Sequence, residues 1–270
     1  MHSFFLKNSF KKYRKNVALA ATALIITGCS KQPLTHDPQD PHEGFNRHVN
    51  SFNQVVDKVT LKPITVAYTH VIPSSIRHMI HRFFNNLNEI PTIINDLLQA
   101  KGTYAASDTW RLLINSSVGI GGLFDPASRT GLPPHDNNFG LTLYNWGAKQ
   151  SPYMVMAFLG PSTYRDSFAS IFDLFIFSAW PHISNVRPEV IYYSLLATWV
   201  IDQRAQILPA DILIDQAFDP YVFMRNAFLQ IRAQQIADNQ MPYCEFLDKF
   251  KQQQQLAHQD AMHTDENEPL

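Results

Sequence analysis

Apolar residues at helical spacing mark most of this chain. Phe45, Val49, Phe52, Val56 and Val59 recur at alternating steps of four and three, an amphipathic stripe. Asn46, Asn50 and Asn53 fall on an adjacent polar strip. Asp40 is placed to cap this helix, Pro41 suits its first turn, and Glu43 stands three positions after the cap. Pro63 opens a further short helix. After Pro73, residues Ile76, Met79, Ile80, Phe83, Phe84 and Leu87 follow the helical pattern closely. It repeats after Glu89 through Ile90, Ile93, Ile94, Leu97 and Leu98, with Gly102 as a C-terminal stop. Thr103 to Asn115 reads as another helix. Periodicity returns at Asp166 with the apolar face Phe168, Ile171, Phe172, Phe175 and Ile176. Pro188 to Gln206 reads as the longest helix and Pro220 to Asp238 as the last.

Between these helices, residues 116–165 differ in character. They hold seven of the ten glycines and five prolines, so a long irregular segment interrupts a helical chain. No segment alternates apolar and polar residues long enough to predict a strand, and no apolar run reaches 18 residues, so no spanning helix is expected. The fold class that follows is all-α: one helical domain over residues 40–238 carrying a Gly/Pro-rich irregular segment. Residues 239–270 are polar, and from Lys251 to Leu270 the Gln-rich, acidic composition predicts a largely disordered tail.

The amino terminus has a separate logic. Lys7, Lys11, Lys12, Arg14 and Lys15 precede a 10-residue apolar run, Val17 to Ile26. Ile26-Thr27-Gly28-Cys29 then resembles a bacterial lipobox. The reading is a secretory signal over 1–28, a lipid anchor on Cys29 and a polar tether over 29–39. The alternative is an ordinary signal peptide with an incidental cysteine. By resemblance to lipoproteins of diderm bacteria, Ser30 after the cysteine favours the outer membrane over the inner. Removal of the leader takes five of the 22 Lys+Arg, leaving 17 against 23 Asp+Glu. That acidic balance argues against nucleic acid as a partner. Cys244 then remains without an internal disulfide partner and is read as a small apolar filler, a reactive thiol or an intermolecular bridge.

Candidate chemistry is sparse. Gly119-Ile-Gly-Gly122 lacks a preceding strand and a following Lys-Ser/Thr, so it reads as a turn, a close approach or a hinge rather than a phosphate loop. His135-Asp136 stands near no recognisable nucleophile, and the eleven histidines show neither HExxH nor a close Cys/His cluster. Neither an enzyme nor a metal or cofactor is expected. Arg165-Asp166 reads as a helix cap with a salt bridge, or as an Arg contact to a lipid headgroup. The stripe Phe168, Ile171, Phe172, Phe175 and Ile176 is either buried core or a face lying in a membrane interface.

Ten strings carry a resemblance. Asp40-Pro-His-Glu-Gly-Phe-Asn-Arg47, Leu61-Lys-Pro63, Val71-Ile-Pro73 and Phe83-Phe-Asn-Asn-Leu87 come first, then Asn95-Asp-Leu-Leu-Gln99 and Asn115-Ser-Ser-Val-Gly-Ile-Gly-Gly-Leu-Phe-Asp125. Phe139-Gly-Leu-Thr-Leu143, Leu159-Gly-Pro-Ser-Thr-Tyr-Arg-Asp166 and the pair Asp202-x-Arg204 and Asp219-Pro-Tyr-x-Phe-x-Arg225 complete the order. Over residues 38–237 the chain resembles the MlaA/VacJ family of outer-membrane lipoproteins. One departure is visible: where the family has Gly-Pro-Tyr and, four residues on, Pro, this chain has Ser151-Pro152-Tyr153 and Ala157.

The resemblance implies a ring-shaped monotopic domain in the periplasmic leaflet, with an amphipathic channel for phospholipids. It implies trimeric porins as membrane partners and a soluble periplasmic carrier that takes lipid toward an inner-membrane ABC transporter. Candidate residues of the lipid path are Phe45, Asn46, Phe52 and Asn53 on the first helix and Gly119, Gly121, Gly122, Leu123 and Phe124 in the glycine segment. The competing reading is an adaptor lipoprotein that tethers periplasmic partners; a lipid hydrolase is a third.

Overall fold

The structure is a computed structural model that describes residues 37–178 and 189–265. The leader, Cys29, the tether to residue 36 and Pro188 lie outside the described residues. The helical class holds. Helix α1 (Glu43–Val56) passes through a wide turn at Asp57–Leu61 into α2 (Lys62–Val71). Then come α3 (Ser74–Leu98), α4 (Gly102–Ser117), the single turn α5 (Pro126–Arg129) and α6 (Phe139–Asn145). A hairpin of β1 (Tyr153–Met156) and β2 (Gly160–Thr163) leads into α7 (Tyr164–Phe172). Helices α8 (Glu189–Ile207), α9 (Asp211–Gln216), α10 (Pro220–Gln240) and α11 (Tyr243–Asp265) complete the chain. No described helix is long and apolar enough to cross a membrane.

The packing is inverted relative to a water-soluble bundle, whose helices bury their apolar stripes. On α1 the asparagine strip is the inner face: Asn46 and Asn50 are buried, whereas Phe45, Phe52 and Val55 are exposed. The same holds widely. Asn95, Asp96, Asp108, Thr142 and Asp202 are fully buried, while Ile76, Leu97, Trp110, Leu113, Phe168 and Phe175 face outward. A small apolar cluster of Tyr153, Val155 and Tyr221 sits beneath α1, with Val49 and Phe228 packed on it.

Several local expectations are corrected. Asp40 does not cap α1. Its carboxylate accepts from Asn46 Nδ2 at 2.8 Å and the Tyr221 hydroxyl at 2.5 Å, and pairs with Arg225 at 3.3 Å. The two apolar runs split at Glu89 belong to one helix, α3, of 25 residues with Pro91 inside it. That helix, not the one after Pro188, is the longest described. It ends at Ala100 in the left-handed region (φ 57°), and Gly102 instead begins α4. The hairpin was hidden because Tyr-Met-Val-Met is apolar at every position, so no alternation is visible. The expected disordered tail is helical as far as Asp265. Its Gln, Ala, Lys and Leu favour helix, and its start is docked: the Tyr243 hydroxyl donates to Ser107 at 3.1 Å and Lys249 pairs with Asp238 at 2.6 Å.

The hairpin is pairwise antiparallel, Tyr153 opposite Thr163 and Met156 opposite Gly160. The free edge of β1 needs partners, and α1 supplies them as side chains. Asn46 donates to the Tyr153 carbonyl at 3.3 Å and accepts from Val155 N–H at 3.0 Å; Asn53 donates to the Met156 carbonyl at 2.8 Å and accepts from Phe158 N–H at 2.8 Å. Two amides thus act as a substitute strand. Replacing Asn46 by Leu, of similar volume, withdraws these partners from buried backbone and is expected to cost about 2–4 kcal/mol. Unfolding of the purified protein in detergent checks this. A loss below about 0.5 kcal/mol, the range of surface substitutions, would mean the amide ladder is dispensable.

Candidate functional site

Helix α3 presents two faces to two cavities. His81, Asn85, Asn88 and Thr92 repeat at helical spacing and line a polar cavity of about 300 Å³. Phe84, Leu87 and Pro91 lie on the other face and line an apolar cavity, also of about 300 Å³. Asn88 borders both.

The polar cavity is completed by Arg111 and Asn115 of α4, Gly122, Phe124 and Asp125 from the following turn, and His135 with Asp136. The turn needs its glycines. Gly122 has φ 91° and lies against the Asn86 side chain, where a Cβ would collide; Gly119 lies against the Asn115 and Phe124 carbonyls. Arg111 is buried and fully engaged: it donates to Glu89 at 2.9 Å, Ser128 at 3.1 Å and the Leu132 carbonyl at 2.7 Å, and pairs with Asp125 at 3.4 Å. Burial pushes the Glu89 carboxyl up to about 8, against the pull of Arg111. Burial acts the same way on Asp125, but the Ser128 hydroxyl and Arg111 outweigh it and hold that carboxyl below the usual range. Behind the cavity wall, His135 Nδ1 donates to Asp108 Oδ2 at 3.1 Å. Burial drives the Asp108 carboxyl up to about 7; His135 is lifted to about 9 because Asp108 and Asp96 outweigh the opposing effect of its own burial.

The apolar cavity is walled by the hairpin through Met156 and Leu159, by Ile171, Leu174 and Phe175, and by Trp199 of α8. Phe168 and Ile176, close to these residues in sequence, are exposed. Phe172 is half-buried and turns inward onto the Phe139 ring, centroids 5.0 Å apart.

Of the residues singled out from sequence, the structure brings Gly122 and Phe124 to the polar cavity and Ile171 and Phe175 to the apolar one. Gly119, Gly121 and Leu123 shape the turn without lining either. Phe45, Asn46, Phe52 and Asn53 line neither: both asparagines are committed to β1, and Phe52 packs edge-on to Phe158 at 5.3 Å. Arg165 is buried, donating to Asp166 at 3.0 Å and the Ala148 carbonyl at 3.1 Å, and Thr163 rather than this pair caps α7. That is the internal ion pair of the two readings. Sequence reasoning missed His81, Asn85, Glu89, Thr92 and Arg111. Their signal was present, since His81, Asn85, Asn88 and Thr92 keep helical spacing, but it lay opposite the apolar stripe that drew the reading.

A family profile described as MlaA lipoprotein matches residues 38–235, which hold both cavities. The chain belongs to the MlaA lipoprotein family. It is 30% identical over 223 residues to the intermembrane phospholipid transport system lipoprotein MlaA of Escherichia coli K12, covering 79% of this chain and 85% of that one. A protein of Rickettsia conorii is 33% identical over 194 residues, covering 72% of this chain and 76% of that one. A solved structure, from work on the structural basis for maintenance of bacterial outer membrane lipid asymmetry, superposes with a TM-score of 0.58 at 30% identity. The match covers 73% of this chain and 98% of that one. The all-α class agrees with these matches.

The raised Glu89 carboxyl has a consequence for stability. Its folded value, about 8, lies above the ordinary 4.5. Its proton therefore stabilises the fold fully below the ordinary value, and that contribution is lost as pH rises through about 8. Glu89→Gln is expected to flatten the fall in unfolding free energy between about pH 5 and pH 8 relative to the parent protein. Denaturation in detergent across that range measures the difference; identical slopes would contradict it.

Proposed function

We propose that this chain is an outer-membrane lipoprotein of an intermembrane phospholipid transport system. In this reading it removes mislocalised phospholipid from the outer leaflet and maintains lipid asymmetry. Cys29 carries the anchor, and the domain lies as a ring-shaped monotopic body in the periplasmic leaflet. A trimeric porin holds it there, and a soluble periplasmic carrier receives the lipid. No enzymatic step is assigned to it.

The observation that carries the reading is the pairing of the two cavities on adjacent faces of α3. A phospholipid crossing between leaflets needs a polar path for its headgroup and an apolar surround for its tails. Asn88 lies where the two environments meet, and Gly122 and Phe124 border the polar side. The outward apolar side chains support membrane embedding, because a patch of this extent in water would be an aggregation or binding surface. Arg111 is already neutralised by Asp125 and held by its hydrogen bond to Glu89, so the polar cavity offers amides and exposed Arg82 rather than a buried free cation. Weak, distributed contact suits passage better than tight binding. Extraction of acyl chains costs about 0.8 kcal/mol per CH₂. A passive route lowers the barrier without supplying direction, which falls to the carrier and transporter.

Two outcomes are expected. Gly122→Val places a branched side chain against Asn86 at a backbone angle that disfavours it, and so deforms the polar cavity. In cells with equal protein levels, surface-exposed phospholipid should change; an unchanged level would favour the adaptor role. Separately, a mature form lacking Cys29 should remain monodisperse only in detergent. Full solubility as a monomer without detergent would remove the membrane-embedded reading.

A further inference from the structure

Asp96 on α3, Asp108 on α4 and His135 in the loop before α6 converge on one point. One donor atom from each lies within 4.8 Å of the other two. His135 Nδ1 is 3.1 Å from Asp108 Oδ2 and 3.6 Å from Asp96 Oδ2. Both aspartates are fully buried and His135 is 8% exposed. The residues are 12 and 27 positions apart, so no short-spaced motif announces them.

Proximity alone is also what an ion pair gives. Three further observations distinguish the cluster. Asp96 Oδ2, Asp108 Oδ1 and His135 Nε2 make no hydrogen bond, and each is buried. One imidazolium offsets only one of the two carboxylates, so without a second cation one buried acid must keep its proton. The neighbouring cations do not help: Lys101 donates to the Asn239 carbonyl, and Arg111 is held by Glu89 and Asp125. Next, the ligand spacing fits a metal. A tetrahedral ion with bonds of about 2.0–2.1 Å sets its ligand atoms about 3.3 Å apart, between the two distances seen. Finally, the side chains are held in position. Asn137 donates to Asp96 Oδ1 at 2.7 Å, leaving Oδ2 toward His135, and the imidazole packs on the Tyr104 ring with centroids 4.5 Å apart. Such outer contacts are what orient metal ligands.

We propose that Asp96, Asp108 and His135 form a divalent-cation site, with zinc the best fit, at the back of the polar cavity. His135 lines that cavity, which gives the ion a route in, and exposed Asp136 on its wall attracts cations. A divalent ion would displace the protons held by His135 and Asp108 and cancel the charge of the two carboxylates. One nitrogen and two oxygens favour zinc over manganese by the usual affinity order, and magnesium prefers oxygen alone. A bound ion would staple α3, α4 and the loop that carries His135. This inference does not depend on the transport reading.

The test uses the purified full chain in detergent, stripped with chelator and dialysed against zinc, manganese or magnesium at about 10 µM, a level at which a genuine structural site is filled. Elemental analysis should find one zinc per chain and little of the other two. Asp108→Asn and His135→Gln keep shape and should each weaken zinc binding by about tenfold or more. Parent protein that retains no zinc, or variants that retain it equally, overturns the proposal. Should the variants fail to fold, X-ray absorption on the zinc-loaded parent decides. One imidazole with oxygen ligands supports the site; sulfur or several imidazoles places the ion elsewhere and overturns it.

Discussion

The domain depends on buried polar groups finding partners on other elements. Because the apolar stripes face outward, apolar burial between helices is limited to small clusters such as Tyr153, Val155 and Tyr221. Arginines and asparagines do the joining. Arg47 of α1 forks onto Asp219 at the start of α10, at 2.7 and 3.2 Å. Arg204 of α8 holds Asp57, in the turn between α1 and α2, at 2.8 Å and Asp211 of α9 at 2.8 Å. Arg232 of α10 holds Asp166 of α7 at 2.6 Å, close enough that Gly140 has no room for a Cβ. A charge buried without its partner costs several kcal/mol, so the buried links at Arg204 and Arg232 each fix one arrangement of helices, whereas the half-exposed Arg47 pair adds less.

The same inversion produces the site. A helix that is polar inside and apolar outside cannot pack on lipid-like and water-like neighbours with one face. Helix α3 resolves this by carrying both along its length, Phe84 and Leu87 on one side and His81 and Asn85 on the other. The glycine turn after α4 approaches α3 at Asn86 only because Gly122 lacks a side chain. Fold and candidate path therefore share residues, and damage to one is felt by the other.

Much of this was legible in the sequence. Helix existence followed from periodicity, and the ten ordered strings identified the family before any geometry. The direction in which each helix faces was not legible. Periodicity reports that α1 has an apolar stripe and an asparagine strip; it does not say which is inside, and in a lipid setting the usual answer reverses. That Asn46 and Asn53 serve the β1 edge is therefore not visible in periodicity. The stripe from Phe168 to Ile176 was left between core and membrane for the same reason, and the structure divides it, with Phe172 inward and Phe168, Phe175 and Ile176 outward. Short-range rules failed where tertiary contacts decided: Ala100 rather than Gly102 ends α3, and the polar tail is helical where Tyr243 and Phe246 dock its start onto Tyr104.

The central claim is that the outward apolar side chains meet acyl chains. Photo-crosslinking in cells tests it most directly, with a benzophenone side chain in place of Phe168 or Phe175 and, as a polar control, in place of Gln253 of α11. The account predicts phospholipid adducts at Phe168 and Phe175, identified by mass spectrometry, and none at Gln253. Adducts at Phe168 and Phe175 that are exclusively to protein, or lipid yields there no greater than at Gln253, would contradict it.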